Sequence, residues 1–177
     1  MQRVGRISAE AMRFREMRRS EQVLDSLEAG FRSLGATWFL VTGVPMPGRP
    51  VDPMVLRRHW GSGPEDEGID GRDAILLDGL ACRRARVVDV GAEDLGSRSA
   101  LYRTAVTGKV QTLVSVPVDA FRPFQGLVLA GAETQLDLHR LLVLTLEYLC
   151  EEAFRQLFAL SAIGVDRPGD LSARERR

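Results

Sequence analysis

The chain has 177 residues, 45% of them hydrophobic, enough to bury one full core. Acidic and basic residues balance at 24 each, so overall charge points to no polyanionic partner; the basic ones are arginines apart from Lys109. The most apolar stretch, Leu136–Leu149, is interrupted by Asp137, His139, Arg140, Thr145 and Glu147, which rules it out as a bilayer span. No signal-peptide core stands at the N-terminus, and Cys82 and Cys150 have neither metal-ligand nor disulfide-framework spacing. The expectation is a cytoplasmic protein, away from membranes, with no metal or cofactor and with both cysteines as free buried thiols.

Residues 8–34 carry a helical pattern in which Met12, Val23, Leu24, Leu27 and Phe31 form the apolar stripe and Gly35 is the stop. Arg13, Arg15, Arg18 and Arg19 lie on the other side, interleaved with Glu10, Glu16 and Glu21, as on a solvated salt-bridging face. Thr37–Thr42 is a strand apolar on both parities, and the prolines from Pro45 to Pro53 then interrupt regular structure. Met54-Val55-Leu56 opens a second strand that ends near His59-Trp60, before a polar, glycine-rich loop from Gly61 to Gly71. A helix over 73–84, a short strand Arg86–Val90 and a helix over 94–107 ending at Gly108 come next.

Val110–Val118 and Phe124–Ala132 are both strands apolar on two faces, which predicts a sheet covered on both sides. Phe121-Arg122-Pro123 is short enough to join them as a hairpin. The last long helix runs from about Gln135 to Leu160, with leucines almost all the way round it. One side can cover the sheet. The other needs a partner, and a second copy of the chain, meeting it through helix 135–160, is the simplest one; a place at the centre of a monomer core is the alternative.

Gly164–Asp170 has linker composition, and Ser172 with Glu175 has the spacing of a capping box that opens a further helix. The expected organisation is a ligand-binding and dimerisation domain over 1–163, a linker over 164–170, and the first turn of another domain over 171–177. The element order predicts an α/β/α sandwich around a central antiparallel sheet, the class of PAS- and GAF-like sensor domains.

Several segments resemble LuxR-type quorum-sensing transcription regulators. They are Leu34-Gly35-Ala36-Thr37-Trp38-Phe39-Leu40-Val41-Thr42-Gly43-Val44-Pro45, the strand pair Thr112–Val118 with Gln125–Ala130, and Leu171-Ser172-Ala173-Arg174-Glu175-Arg176. The last is similar to the opening of the family's helix-turn-helix. The resemblance implies an autoinducer-binding domain with an apolar pocket for an acyl-homoserine-lactone-like molecule, a homodimer, and DNA contacted through a C-terminal domain. It also implies a few polar contacts, because a ligand amide buried without a partner costs about 1–3 kcal/mol.

By that resemblance Asp73 is the aspartate that accepts from the ligand amide; the alternative is the N-cap of the following helix. Trp60, thirteen residues before it, is the candidate indole donor or else a tryptophan of a tight turn. Ser115 matches the family's strand serine or threonine. Phe39 and Val41 on the first strand are candidate pocket walls, as is Val88, which stands where the family often has an aromatic. The departure is Gly61–Arg72, which contains none of the family's tyrosines. That departure supports an alternative, a dimeric regulator of the same fold that works without a ligand or under a protein partner. His59 and His139 are the only histidines and no catalytic motif accompanies them, so no enzyme activity is expected.

Overall fold

A computed structural model describes residues 2–45, 54–59, 69–70, 72–90, 99–121, 124–136 and 138–162. Among them the helices are α1 (Gln2–Arg13), α2 (Ser20–Arg32), α3 (Ala74–Ala81), α4 (Ala100–Thr107) and α5 (Arg140–Ala162). The strands are β1 (Trp38–Pro45), β2 (Met54–His59), β3 (Arg86–Asp89), β4 (Thr112–Phe121) and β5 (Phe124–Ala132). They form one antiparallel sheet in the order β2-β1-β5-β4-β3. Linker 164–170 and segment 171–177 lie outside the described residues, as does Trp60.

Register decides which residues share a face. Val41, Val128 and Val116 stand in one row across β1, β5 and β4, and Phe39, Ala130 and Val114 in the next. This side packs against α1, α2 and α5 through Leu24, Leu27, Phe31, Leu146, Leu149 and Cys150, and it forms the larger core. On the other parity, Trp38, Leu40, Leu113, Leu127 and Leu129 meet Ile75 and Leu76 of α3 and Leu101, Tyr102 and Ala105 of α4. Each such fully buried aliphatic or aromatic side chain contributes about 1.5–3 kcal/mol, so neither face could be left to water. The sheet is therefore the filling of an α/β/α sandwich, as the doubly apolar strands predict.

The N-terminal helical region departs from the sequence pattern. It starts earlier than residue 8 and breaks at Met17–Arg19, with a 3-10 turn over Phe14–Glu16 between the two helices. Met12, expected on the apolar stripe, is 65% exposed, while Ile7, Ala11 and Phe14 are buried in its place. The break is held from α5. The Gln156 side-chain amide donates to the Met17 carbonyl at 2.7 Å, and Arg15 Nε donates to the buried Glu152 carboxylate at 3.1 Å. Arg155 pairs with the other oxygen of Glu152.

Two smaller departures have local causes. α5 begins at Arg140 rather than at Gln135, because Thr112 Oγ1 accepts from the Leu136 backbone N–H at 3.2 Å and holds that stretch against β4. Cys82 caps the C-terminus of α3 and is half-buried, whereas Cys150 is a core residue. At the end of α4, Lys109 takes φ 58° and its neighbour Val110 returns its N–H to the Ala105 carbonyl at 2.9 Å, the Schellman arrangement that a glycine ordinarily serves.

α5 lies tight on the sheet where β5 carries Gly126: a Cβ there would come within 2.2 Å of the Phe154 ring. Gly126→Ala is accordingly expected to lower stability by about 1–3 kcal/mol. Denaturant midpoints check this, and placing the change in a Phe154→Leu background should recover much of the loss. A loss of the same size in that background would mean the ring is not its cause.

Candidate functional site

The smaller core, between the sheet and the pair α3/α4, contains the polar groups of interest. Asp73 is the N-cap of α3, its Oδ1 accepting from the Ile75 N–H at 3.0 Å. The same oxygen accepts from Ser99 Oγ at 2.7 Å, and Oδ2 accepts from the Leu101 N–H at 3.1 Å. Ser99 is itself the N-cap of α4, accepting from the Tyr102 N–H at 2.8 Å. One buried carboxylate, 5% exposed, thus joins the starts of two helices. A carboxylate offers about four acceptor positions. Three are filled, so Asp73 keeps capacity for one more donor. The helix-cap reading of Asp73 is what the geometry displays, with one acceptor position unfilled.

The sheet supplies the wall. Ser115 and Val88 face this layer, at 5% and 7% exposure. Ser115 lies directly under α3, where Gly79 makes the approach possible: a Cβ at Gly79 would stand 2.7 Å from Ser115 Oγ and 3.1 Å from Leu127. Ser115 Oγ has no hydrogen-bond partner. Thr42, on β1 across the intervening β5, is fully buried, and its Oγ1 also has none. A buried hydroxyl left unpaired costs about 1–3 kcal/mol, so two on one wall call for an explanation.

Of the residues the sequence nominates, the fold brings together Asp73, Val88 and Ser115. It does not bring Phe39 and Val41 to them. Both belong to the opposite core, Phe39 with its ring 5.5 Å from that of Phe31. Strand alternation is the reason: Phe39 and Val41 share a parity, and Trp38, Leu40 and Thr42 have the one that faces α3 and α4. Trp60, and 61–68 of the tyrosine-free segment, lie outside the described residues. Two members of the layer were missed. Thr42 could have been found as the one hydroxyl on the Trp38/Leu40 parity. Tyr102, buried at 7% on α4, brings an aromatic into the layer from beyond Gly61–Arg72.

His59 and His139 are exposed and lie away from this layer, the first at the end of an edge strand. Burial, with Glu151 and Glu147 adding to it, raises the Cys150 thiol well above its usual range, so it stays protonated in the larger core.

No family model and no curated protein matches the sequence. Solved structures do match the fold. The GAF domain of a two-component sensor histidine kinase from Bacillus halodurans superposes with a TM-score of 0.66 at 12% identity, covering 84% of this chain and 99% of that one. CepR2 of Burkholderia cenocepacia, described as an N-acylhomoserine lactone dependent LuxR family transcription factor, gives 0.64 at 15% identity over 92% of this chain and 99% of that one. Escherichia coli SdiA gives 0.63 at 16% identity over 89% of this chain and 68% of that one, and SdiA is also known in complex with octanoyl-rac-glycerol. At these identities the likeness establishes the fold that this chain shares with GAF and LuxR-type ligand-binding domains.

Because Asp73 accepts from three donors in two helices, Asp73→Ala is expected to cost about 2–4 kcal/mol, the sum of a lost cap and further unpaired groups. Asp73→Asn, which keeps one acceptor oxygen, should cost about half as much. Denaturation curves measure both. Equal losses for the two would show that the acceptor oxygens are not what matters.

Proposed function

We propose that the chain is a small-molecule sensing domain of the LuxR autoinducer-binding kind, with the ligand buried between the sheet and α3/α4. The observation that carries this is the pair of buried, partnerless hydroxyls on the sheet face turned to α3 and α4, Ser115 and Thr42, in a layer whose helices share a carboxylate with one acceptor position open. Ligand hydrogen bonds would satisfy groups that are otherwise a cost to the fold. The two named neighbours, one lactone-dependent and one seen with an acylglycerol, suggest an acyl-homoserine-lactone-like or acylglycerol-like molecule. Catalysis is no part of this reading.

In the same proposal the domain pairs with a second copy through α5. Leu141, Leu144 and Tyr148 recur at helical spacing on that helix and are 48%, 42% and 40% exposed, an apolar stripe that the domain's own core does not cover. A DNA-binding domain beginning near Leu171 would receive the ligand state and read a two-fold site as a dimer. No described helix is long and apolar enough to cross a membrane.

The second reading keeps the dimer and drops the ligand. It is favoured by Gly79, which already seats α3 against Ser115 with no space between them. The two readings separate on ligand-induced stabilisation. At a hundredfold excess over Kd, a ligand that binds only the folded state adds about 2.7 kcal/mol, or roughly 5–10 °C in melting temperature for a domain of this size. Octanoyl-glycerol and N-octanoyl-homoserine lactone are the probes. A rise with either supports the sensor, and no rise with no adduct in native mass spectrometry supports the ligand-independent regulator. Separately, Leu144→Glu with Tyr148→Glu should convert a dimer to monomers in sedimentation without changing the circular dichroism of the fold; unchanged sedimentation would remove α5 as the interface.

A further inference from the structure

We infer that Thr42 is a second polar anchor of this site, so that the ligand is an amphiphile with an oxygen function at each end of an apolar segment. The inference rests on the small-molecule reading above and extends it to ligand chemistry.

Thr42 is 0% exposed and its hydroxyl meets no acceptor or donor. The surrounding wall is apolar: Leu40 two residues before it, Leu127 across the pairing on β5, and Val55 across the pairing on β2. Valine has the same branched shape and strand preference without the buried hydroxyl, so packing alone does not call for threonine here. The register on the β2 side also shifts between Val41 and Thr42, leaving Leu56 unpaired and turned to the opposite core. Such bulges re-aim side chains at sites.

The register fixes the relation of Thr42 to Ser115. Thr42 pairs with Leu127, and Ser115 with Leu129, so the two hydroxyls stand on either side of β5 and one two-residue step apart. Standard strand spacings put their Cα atoms about 12 Å apart on one face. Leu127 and Leu129 lie between them. A molecule satisfying both hydroxyls therefore crosses β5 diagonally, with apolar atoms over the two leucines and oxygen at each end. Hydroxyls both donate and accept, so a carbonyl or a hydroxyl fits at either end. Two arginines share this face of the sheet, Arg58 opposite Leu40 and Arg86 opposite Ser115, and Arg86 is already paired with Asp78 of α3 at 2.5 Å. Gly79 closes on Ser115 and Leu127, so entry at that end displaces α3 outward.

The test uses the full chain and two probes, 1-octanoylglycerol and its counterpart hydroxylated at the far end of the acyl chain, by calorimetric titration. The wild type is expected to bind the hydroxylated probe on the order of tenfold tighter, the scale of one satisfied buried hydroxyl. Thr42→Val should bring that ratio to about one, Thr42→Ser should keep it, and Ser115→Ala should weaken both probes. Melting curves without ligand verify folding, with Thr42→Val at least as stable as the wild type. Binding of both probes with a ratio that Thr42→Val leaves unchanged overturns the anchor while leaving the small-molecule reading intact. Binding of neither probe overturns both.

Discussion

The central strand β5 cannot be left open to water on either side. It carries Leu127 and Leu129 on one parity and Val128 and Ala130 on the other, all buried. A helix layer must therefore lie on each side, and the chain meets that demand unequally. α1, α2 and the 23-residue α5 cover one face with a thick core. Two eight-residue helices cover the other. Everything that makes the domain a candidate sensor follows from this asymmetry, since a short, thin layer is the one a ligand can share.

Asp73 is what lets the thin layer exist. Eight residues make about two turns, too few for a helix to hold in water by itself. Placing one carboxylate at the head of both helices satisfies the backbone N–H groups of Ile75 and Leu101 together with the Ser99 hydroxyl.

Much of this was legible in the sequence. The two-faced strands Val110–Val118 and Phe124–Ala132 predict the covered sheet, and the helix cap that the sequence offers for Asp73 as the alternative to a ligand contact is the role its hydrogen bonds display. What escaped has a common cause: it depends on partners distant along the chain. The break at Met17–Arg19 is set by Glu152 and Gln156, separated by 137 and 139 residues from the groups they bind. Phe39 and Val41, candidate pocket walls in the sequence, lie in the larger core, and alternation identifies two faces of a strand without saying which of them lies beneath α3 and α4. Tyr102 reaches the layer from α4, so inspecting the interval before Asp73 could not find it.

The shared carboxylate also has a kinetic meaning. Two short helices anchored separately would fray independently, each on its own timescale. With their first turns tied to one group, release of either leaves buried donors of the other unsatisfied, so the pair opens as a single cooperative unit while the thick core stays folded. Amide hydrogens in α3 and α4 would then exchange together through one sub-global opening, well below the free energy of complete unfolding. Any molecule reaching the sheet from that side would pass through that same excursion.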